Sequence, residues 1–238
     1  IYAREDGPLR RFDPATGAHE TLLTEVGGRR LTSANYPVID RAGNIWCANS
    51  THAETWPQAL DGRADGFIFV LRPDGSSEVV AEGLKFPNGM ALSADEQYLF
   101  CAQTSGADVL RFPVHAGGKL GAGGRYGPVL GKLQAPGPGV DHNDLGYTDG
   151  IGLDAEGNLW VCLPAANKVV AITPALEVTT VIHDPSGEVV NHPTNITWGG
   201  PDLKDLYIGS IRAGYVLKGR SPVAGQPHVH QLEGRVSA

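Results

Sequence analysis

One short sentence of sequence is written four times in this 238-residue chain, and the repetition leaves few folds open. In its cleanest form Asp149-Gly150-Ile151-Gly152-Leu153 leads into the turn Asp154-Ala155-Glu156-Gly157-Asn158, and Leu159-Trp160-Val161 returns. Apolar residues alternate on both sides of a tight turn whose glycine makes a positive φ cheap, which is how a β-hairpin is written. Asn35 to Trp46 repeats it in identical register, with Asp40 and Trp46 spaced from Asn35 as Asp154 and Trp160 are from Asp149. Asn88 to Phe100 and Asn195 to Tyr207 are looser copies, each with one extra residue in the turn. Asn35, Asn88, Asp149 and Asn195 therefore share one position just ahead of the first strand, separated by 53, 61 and 46 residues. Hairpins repeated at such intervals predict a radial array, in which each unit covers its neighbour's apolar face.

The expected fold is all-β: a β-propeller of four-stranded blades forming a single domain over residues 1–238, with about five blades visible. The 32 glycines and 17 prolines punctuate short apolar runs, as tight turns require, and form no low-complexity block. Residues 1–25 read as the outer half of a blade whose inner strands must come from an upstream segment or from the C-terminus. An insertion from Asn49 to Asp65 separates the second and third strands of the first full copy, which places His52, Glu54 and Trp56 over one end of the channel. The stretch from Gln134 to Leu145 reads as a polar connector. His228 and His230 would share a face if they lay on a strand.

The 26 acidic residues against 19 Lys and Arg give a net charge of −7, and the basic residues form no cluster that could track a phosphate backbone. Nucleic acid is not an expected partner. No apolar run is long enough for a transmembrane helix and no signal-peptide layout opens the chain, so the expectation is a soluble, cytoplasmic protein without a membrane partner, monomeric or weakly oligomeric. Cys47, Cys101 and Cys162 recur in the second strands of three copies with no zinc spacing, and read as buried, reduced, structural thiols.

In a propeller the first strand of every blade lines the channel, so the four repeated Asn and Asp residues should converge on its axis. One carboxylate with amide carbonyls is a hard-oxygen set suited to Ca²⁺, Mg²⁺ or Mn²⁺, with water completing the shell. Asn or Asp before glycine is also an ordinary turn former, and a structural channel ion would make the same demand.

The blocks Pro87-Asn88-Gly89-Met90, Thr148-Asp149-Gly150-Ile151 with Asp154 to Trp160, and Gly199 to Tyr207 resemble those of the regucalcin and gluconolactonase family, also known for the senescence-marker protein and the luciferin-regenerating enzyme. The resemblance runs along essentially the whole chain and implies a six-bladed propeller whose first blade is missing or incomplete in this sequence. It further implies that Asn88 and Asp149 bind one divalent metal ion, with Ca²⁺ expected first and Zn²⁺, Mn²⁺ or Mg²⁺ as alternatives. By the same resemblance Asp149 is the general base, Asn35 contacts substrate, and Asn195 is a polar residue facing the channel. Two departures stand out. The family's third ligand, a first-blade Glu, has no counterpart here, since neither Glu5 nor Glu25 has its context. Ser33 stands in place of a substrate-binding Arg and Tyr36 in place of a common Asp, which predicts a pocket for a less polar ring. The expected function is thus a metal-dependent lactonase acting on a small lactone, with Asn35, Asn195, Ser33 and Tyr36 on the substrate side. A propeller that binds a small ligand or a protein around a structural ion, and an arylesterase or phosphotriesterase at the same metal, are the competing readings.

Overall fold

The computed structural model describes residues 7–134 and 139–233. The first full blade is a four-stranded antiparallel meander, Ala34–Ile39, Ile45–Asn49, Gly66–Leu71 and Ser77–Leu84. In the second, strands Pro87–Leu92, Tyr98–Gln103 and Asp108–His115 are followed by two short segments that both pair with the third strand. The third blade consists of Ile151–Leu153, Leu159–Leu163, Lys168–Ile172 and Val178–His183, and the fourth has three strands, Pro193–Gly199, Asp205–Ser210 and Leu217–Arg220. Ahead of them, Leu9–Phe12 pairs with His19–Leu23 as a lone hairpin. The expected half blade is therefore present.

Period-2 alternation explains why the blades stack. In the first blade Cys47, Phe67, Phe69 and Leu71 face Leu9, Val26 and Leu31 on one side. Trp46, Ala48, Ile68 and Val70 face Met90, Leu99 and Phe112 of the second blade on the other. The second blade meets the third through Phe100, Val109 and Tyr126 against Ile151, Val161 and Ile172. The third meets the fourth through Trp160 and Val169 against Trp198 and Leu206, with the two indoles edge to face at 5.1 Å. Both faces of each full blade's second strand are thus apolar, unlike a sheet with one wet side.

The recurrent Asp-x-x-Gly-Asn-x-Trp turn has a specific cause. Asp154 Oδ1 accepts from the backbone N–H of Glu156 and Asn158 at 3.0 and 2.9 Å, and its Oδ2 accepts from Asn158 Nδ2 and Trp160 Nε1, each at 2.9 Å. Asp40 does the same for Asn44 and for Trp46 Nε1, at 2.8 to 3.0 Å. Each carboxylate is buried and fully engaged, so the acid, amide and indole travel together through the repeats.

Among the described residues the C-terminal segment forms no strand against the blade of residues 9–23. It bonds to other blades: Ala224 O accepts from Ala155 N, Gly225 N donates to Leu203 O, and Gln226 N donates to Leu153 O. Gln226 Nε2 reaches Leu92 O at 2.9 Å and Gln231 Nε2 reaches Trp198 O at 3.1 Å. The segment straps three blades together. His228 and His230 lie at a short helical turn, Val229–Glu233, instead of on a strand, with their rings parallel at 5.7 Å. Residues 135–138 of the polar connector lie outside the described residues. All three cysteines are buried and free. No helix among the described residues is long and apolar enough to cross a membrane.

Candidate active site

Asn35 and Asn195 lie within the first strands of their blades, and Asp149 lies two residues ahead of one. Asn35 sits opposite Ala48, Asn195 sits opposite Gly209, and Asp149 N–H bonds Cys162 O at 3.0 Å just ahead of the strand Ile151–Leu153. Two glycines let the inner strands close on one another. A Cβ on Gly89 would lie 2.5 Å from Asp149 O and 2.7 Å from Ile151 N, and one on Gly150 would lie 2.5 Å from Thr194 O. The glycine after Asn88 and after Asp149 is therefore a spacing requirement as much as a turn former.

Asn35 and Asn88 meet directly, Asn35 Nδ2 donating to Asn88 Oδ1 at 2.9 Å. Asn35 Nδ2 also reaches Ser50 Oγ at 3.3 Å, and Asn88 Nδ2 donates to Thr104 Oγ1 at 3.1 Å. Thr104 in turn donates to Thr148 O, one residue ahead of Asp149, at 2.7 Å. Ser50 Oγ donates to Pro87 O, one residue ahead of Asn88, at 2.8 Å. These contacts link the first three copies.

Asn195 is held differently. It is exposed, and its Oδ1 accepts both the N–H of Ile196 at 2.8 Å and the hydroxyl of Tyr36 at 2.6 Å. Tyr36 also reaches Ile151 O at 3.0 Å, so one side chain of the first blade ties to the third and fourth. It does so from a left-handed backbone, φ 52°, beside a register shift in its strand, a costly conformation for a bulky residue. Burial, with Asp149 nearby, drives its phenol well above the ordinary value, so it serves as a donor.

Ser33 stands apart. Its N–H bonds Asn49 Oδ1 at 3.0 Å, and it lines a separate pocket with Thr51, Glu54, Trp56 and Phe86, built by the 49–65 insertion. Trp56 stacks on Phe86 at 6.1 Å, whereas His52 turns to Thr32 Oγ1 and Phe67. A second cavity, of about 860 Å³, follows the channel from Asn35, Tyr36 and Asn195 along Met90, Leu92 and Ile151 to the C-terminal segment. Ser50, Thr104 and Thr148 were not singled out by the repeats, although Ser50 and Thr104 each stand three residues after the recurrent cysteine.

Among the described residues no group of three or more His, Cys, Asp or Glu could hold a metal. What the channel offers is one carboxylate with amide oxygens, and that donor chemistry fits a hard divalent cation with water in the remaining positions.

Fold and site together define an all-β propeller with a polar cluster at its channel. Residues 1–212 match the family model described as "SMP-30/Gluconolactonase/LRE-like region", and the chain belongs to that family. It is 26% identical to the pentonolactonase of Haloferax volcanii over 86% of this chain and 74% of that one. It is 28% identical to the 6-deoxy-6-sulfogluconolactonase of Pseudomonas putida over 87% and 76%. Both relatives are named as lactonases, hydrolases of cyclic esters. Among solved structures, regucalcin from Agrobacterium tumefaciens superposes with a TM-score of 0.68 at 18% identity, covering 90% of this chain and 64% of that one. A gluconolactonase from Xanthomonas campestris superposes with 0.63 at 25% identity, covering 84% and 61%. The chain thus spans roughly two thirds of the length of the structures it matches.

Proposed function

We propose that the protein is a metal-dependent lactonase acting on a small lactone, with its reaction centre at Asn35, Asn88 and Asp149. The observation that carries this reading is the placement of Asp149, the one carboxylate of the repeated set, one residue beyond a carbonyl tied through Thr104 to Asn88. A bound Ca²⁺, Mg²⁺ or Mn²⁺ ion held by Asn88 and Asp149 would supply Lewis acidity to the lactone carbonyl.

The chain's own residues account for the remaining chemistry. Asp149 orients a water and takes its proton as the oxygen attacks the carbonyl carbon. The tetrahedral adduct then collapses with cleavage of the ring C–O bond, and the departing alkoxide recovers the proton from Asp149, leaving a hydroxy acid. Asn35 contributes polar contact to the substrate, Asn195 and Tyr36 border the channel cavity, and Ser33 with Trp56 shapes the pocket beside it. With a tyrosine in place of a carboxylate and a serine in place of a cation, the favoured ring is one with few charged substituents.

The test is hydrolysis of a lactone panel, from gluconolactone to aliphatic and aromatic rings, followed by proton release on metal-stripped protein with each divalent ion restored. Turnover that returns with metal and is lost in Asp149→Asn supports the reading. Turnover indifferent to both metal and Asp149 would end it.

A further inference from the structure

We propose that Ser50 and Thr104 are positioning residues that fix which way the Asn35 and Asn88 amides face, and thereby present the Asn88 carbonyl oxygen for binding. A hydroxyl has one proton, and where that proton goes decides which end of a neighbouring amide can face it. The Thr104 proton is committed to Thr148 O at 2.7 Å, so toward Asn88 the same oxygen can only accept. Nδ2 of Asn88 must then lie on the Thr104 side, at 3.1 Å, and Oδ1 on the other, where it meets Asn35. Ser50 repeats the logic one blade earlier. Its proton goes to Pro87 O at 2.8 Å, so it accepts from Asn35 Nδ2.

Each hydroxyl does two jobs at once. Ser50 fixes the Asn35 amide and also the peptide that leads into Asn88. Thr104 fixes the Asn88 amide and also the peptide that leads into Asp149, whose N–H is held from the opposite side by Cys162 O. Residue types and register agree with a dedicated role. Ser50 N–H bonds Ser33 O and Thr104 N–H bonds Phe86 O, in each case two residues before the Asn. Gly152 opposite Trp160 matches Val38 opposite Trp46 and puts Pro164 at that place in the third blade, where no hydroxyl is available. There the carbonyl ahead of Asn195 is bonded by Gly150 N–H instead. The hydroxyl is present in the two copies that serve Asn88 and Asp149 and absent from the one that would serve Asn195.

The inference rests on the metal-dependent reading, and its test includes a readout that needs no turnover. Ca²⁺ alone is titrated calorimetrically into metal-stripped protein, using wild type, Thr104→Val, Thr104→Ser, Ser50→Ala and Asp149→Asn. Valine keeps the shape of threonine without its hydroxyl, and serine keeps the hydroxyl. Thr104→Val should weaken Ca²⁺ binding about 10- to 100-fold, the usual effect of removing a group that orients a ligand. Thr104→Ser should stay near wild type and Ser50→Ala should fall between. In ¹⁵N spectra of the metal-free protein, the Asn88 side-chain amide should lose its protection from exchange in Thr104→Val alone of the two Thr104 variants. If Asp149→Asn abolishes binding while Thr104→Val leaves it intact, the positioning role is overturned and the metal site stands. If wild type and Asp149→Asn titrate alike, the metal reading fails and takes this inference with it. Equal impairment in Thr104→Val and Thr104→Ser reduces Thr104 to a packing residue and refutes the proposal.

Discussion

The hydroxyl of Tyr36 donates to Asn195 Oδ1 at 2.6 Å, joining the inner strand of the first full blade to that of the fourth. Neighbours in the ring already hold each other through apolar faces, so this contact spans blades that do not follow one another in sequence. Removing the hydroxyl by Tyr36→Phe takes away the one proton that Ile151 O and Asn195 Oδ1 share, while Asn195 Oδ1 keeps the N–H of Ile196. A loss of about 1–2 kcal/mol is expected, which for a domain this size lowers Tm by about 2–4 °C per kcal/mol. An unchanged melting curve would show that the strut bears no weight.

The buried turn carboxylates give a sharper test. In Asp154→Asn one end of the side chain becomes a donor facing the donors Asn158 Nδ2 and Trp160 Nε1. The isosteric change should therefore cost about 2–4 kcal/mol, since hydrogen bonds to a charged group are lost and buried donors are left unpaired. Asp95→Asn, at the exposed turn of the second blade, serves as control and should cost under about 0.5 kcal/mol, as most surface changes do. Urea midpoints measure both.

Gly89→Ala should act on function through distance alone. Its φ is ordinary, but the added methyl would press on the backbone of Asp149 and Ile151. Overpacking of this kind costs about 1–3 kcal/mol, and the displaced Asp149 should reduce lactone turnover beyond what the stability change explains. Gly124→Ala, where the methyl meets open space, should leave both untouched. Turnover per folded molecule separates the two.

Alkaline conditions should weaken the fold. Burial pushes the Cys101 thiol up to about 12 and raises Cys47 and Cys162 as well, with Asp149 adding to the rise at Cys162. The unfolded chain releases these protons near the ordinary thiol value of about 8.5 while the native chain keeps them, so stability is complete below that pH and declines above it. Urea midpoints should fall between pH 9 and 11, and less steeply when the three cysteines are alanine. The native thiols should also resist a disulfide reagent at pH 8 until denaturant is added.

Much of this was legible in the sequence. The repeat register placed Asn35, Asn88, Asp149 and Asn195 at one position and brought the expected blades with it, because period-2 alternation and turn chemistry are local. Three things were not local. The left-handed backbone of Tyr36 is imposed by its register shift and by partners 115 and 159 residues away. The C-terminal segment reaches three blades through its backbone and two glutamine amides, and the backbone groups among these carry no sequence signal. Ser50 and Thr104 look like any strand-end hydroxyls until their acceptors are known. Ser33 marks the limit of reading by equivalence: its place in the repeat is right, yet the insertion draws it into a neighbouring pocket.

The bonds through Ser50 and Thr104 all run forward, each amide donating to a hydroxyl that donates to the following blade. None can be reversed singly, because turning one amide sets acceptor against acceptor. The two amides and two hydroxyls behave as one collective variable with two settings, and only one of these leaves the carbonyls of Pro87 and Thr148 with donors. Each blade's amide is thus oriented by a carbonyl that only the next blade in sequence supplies.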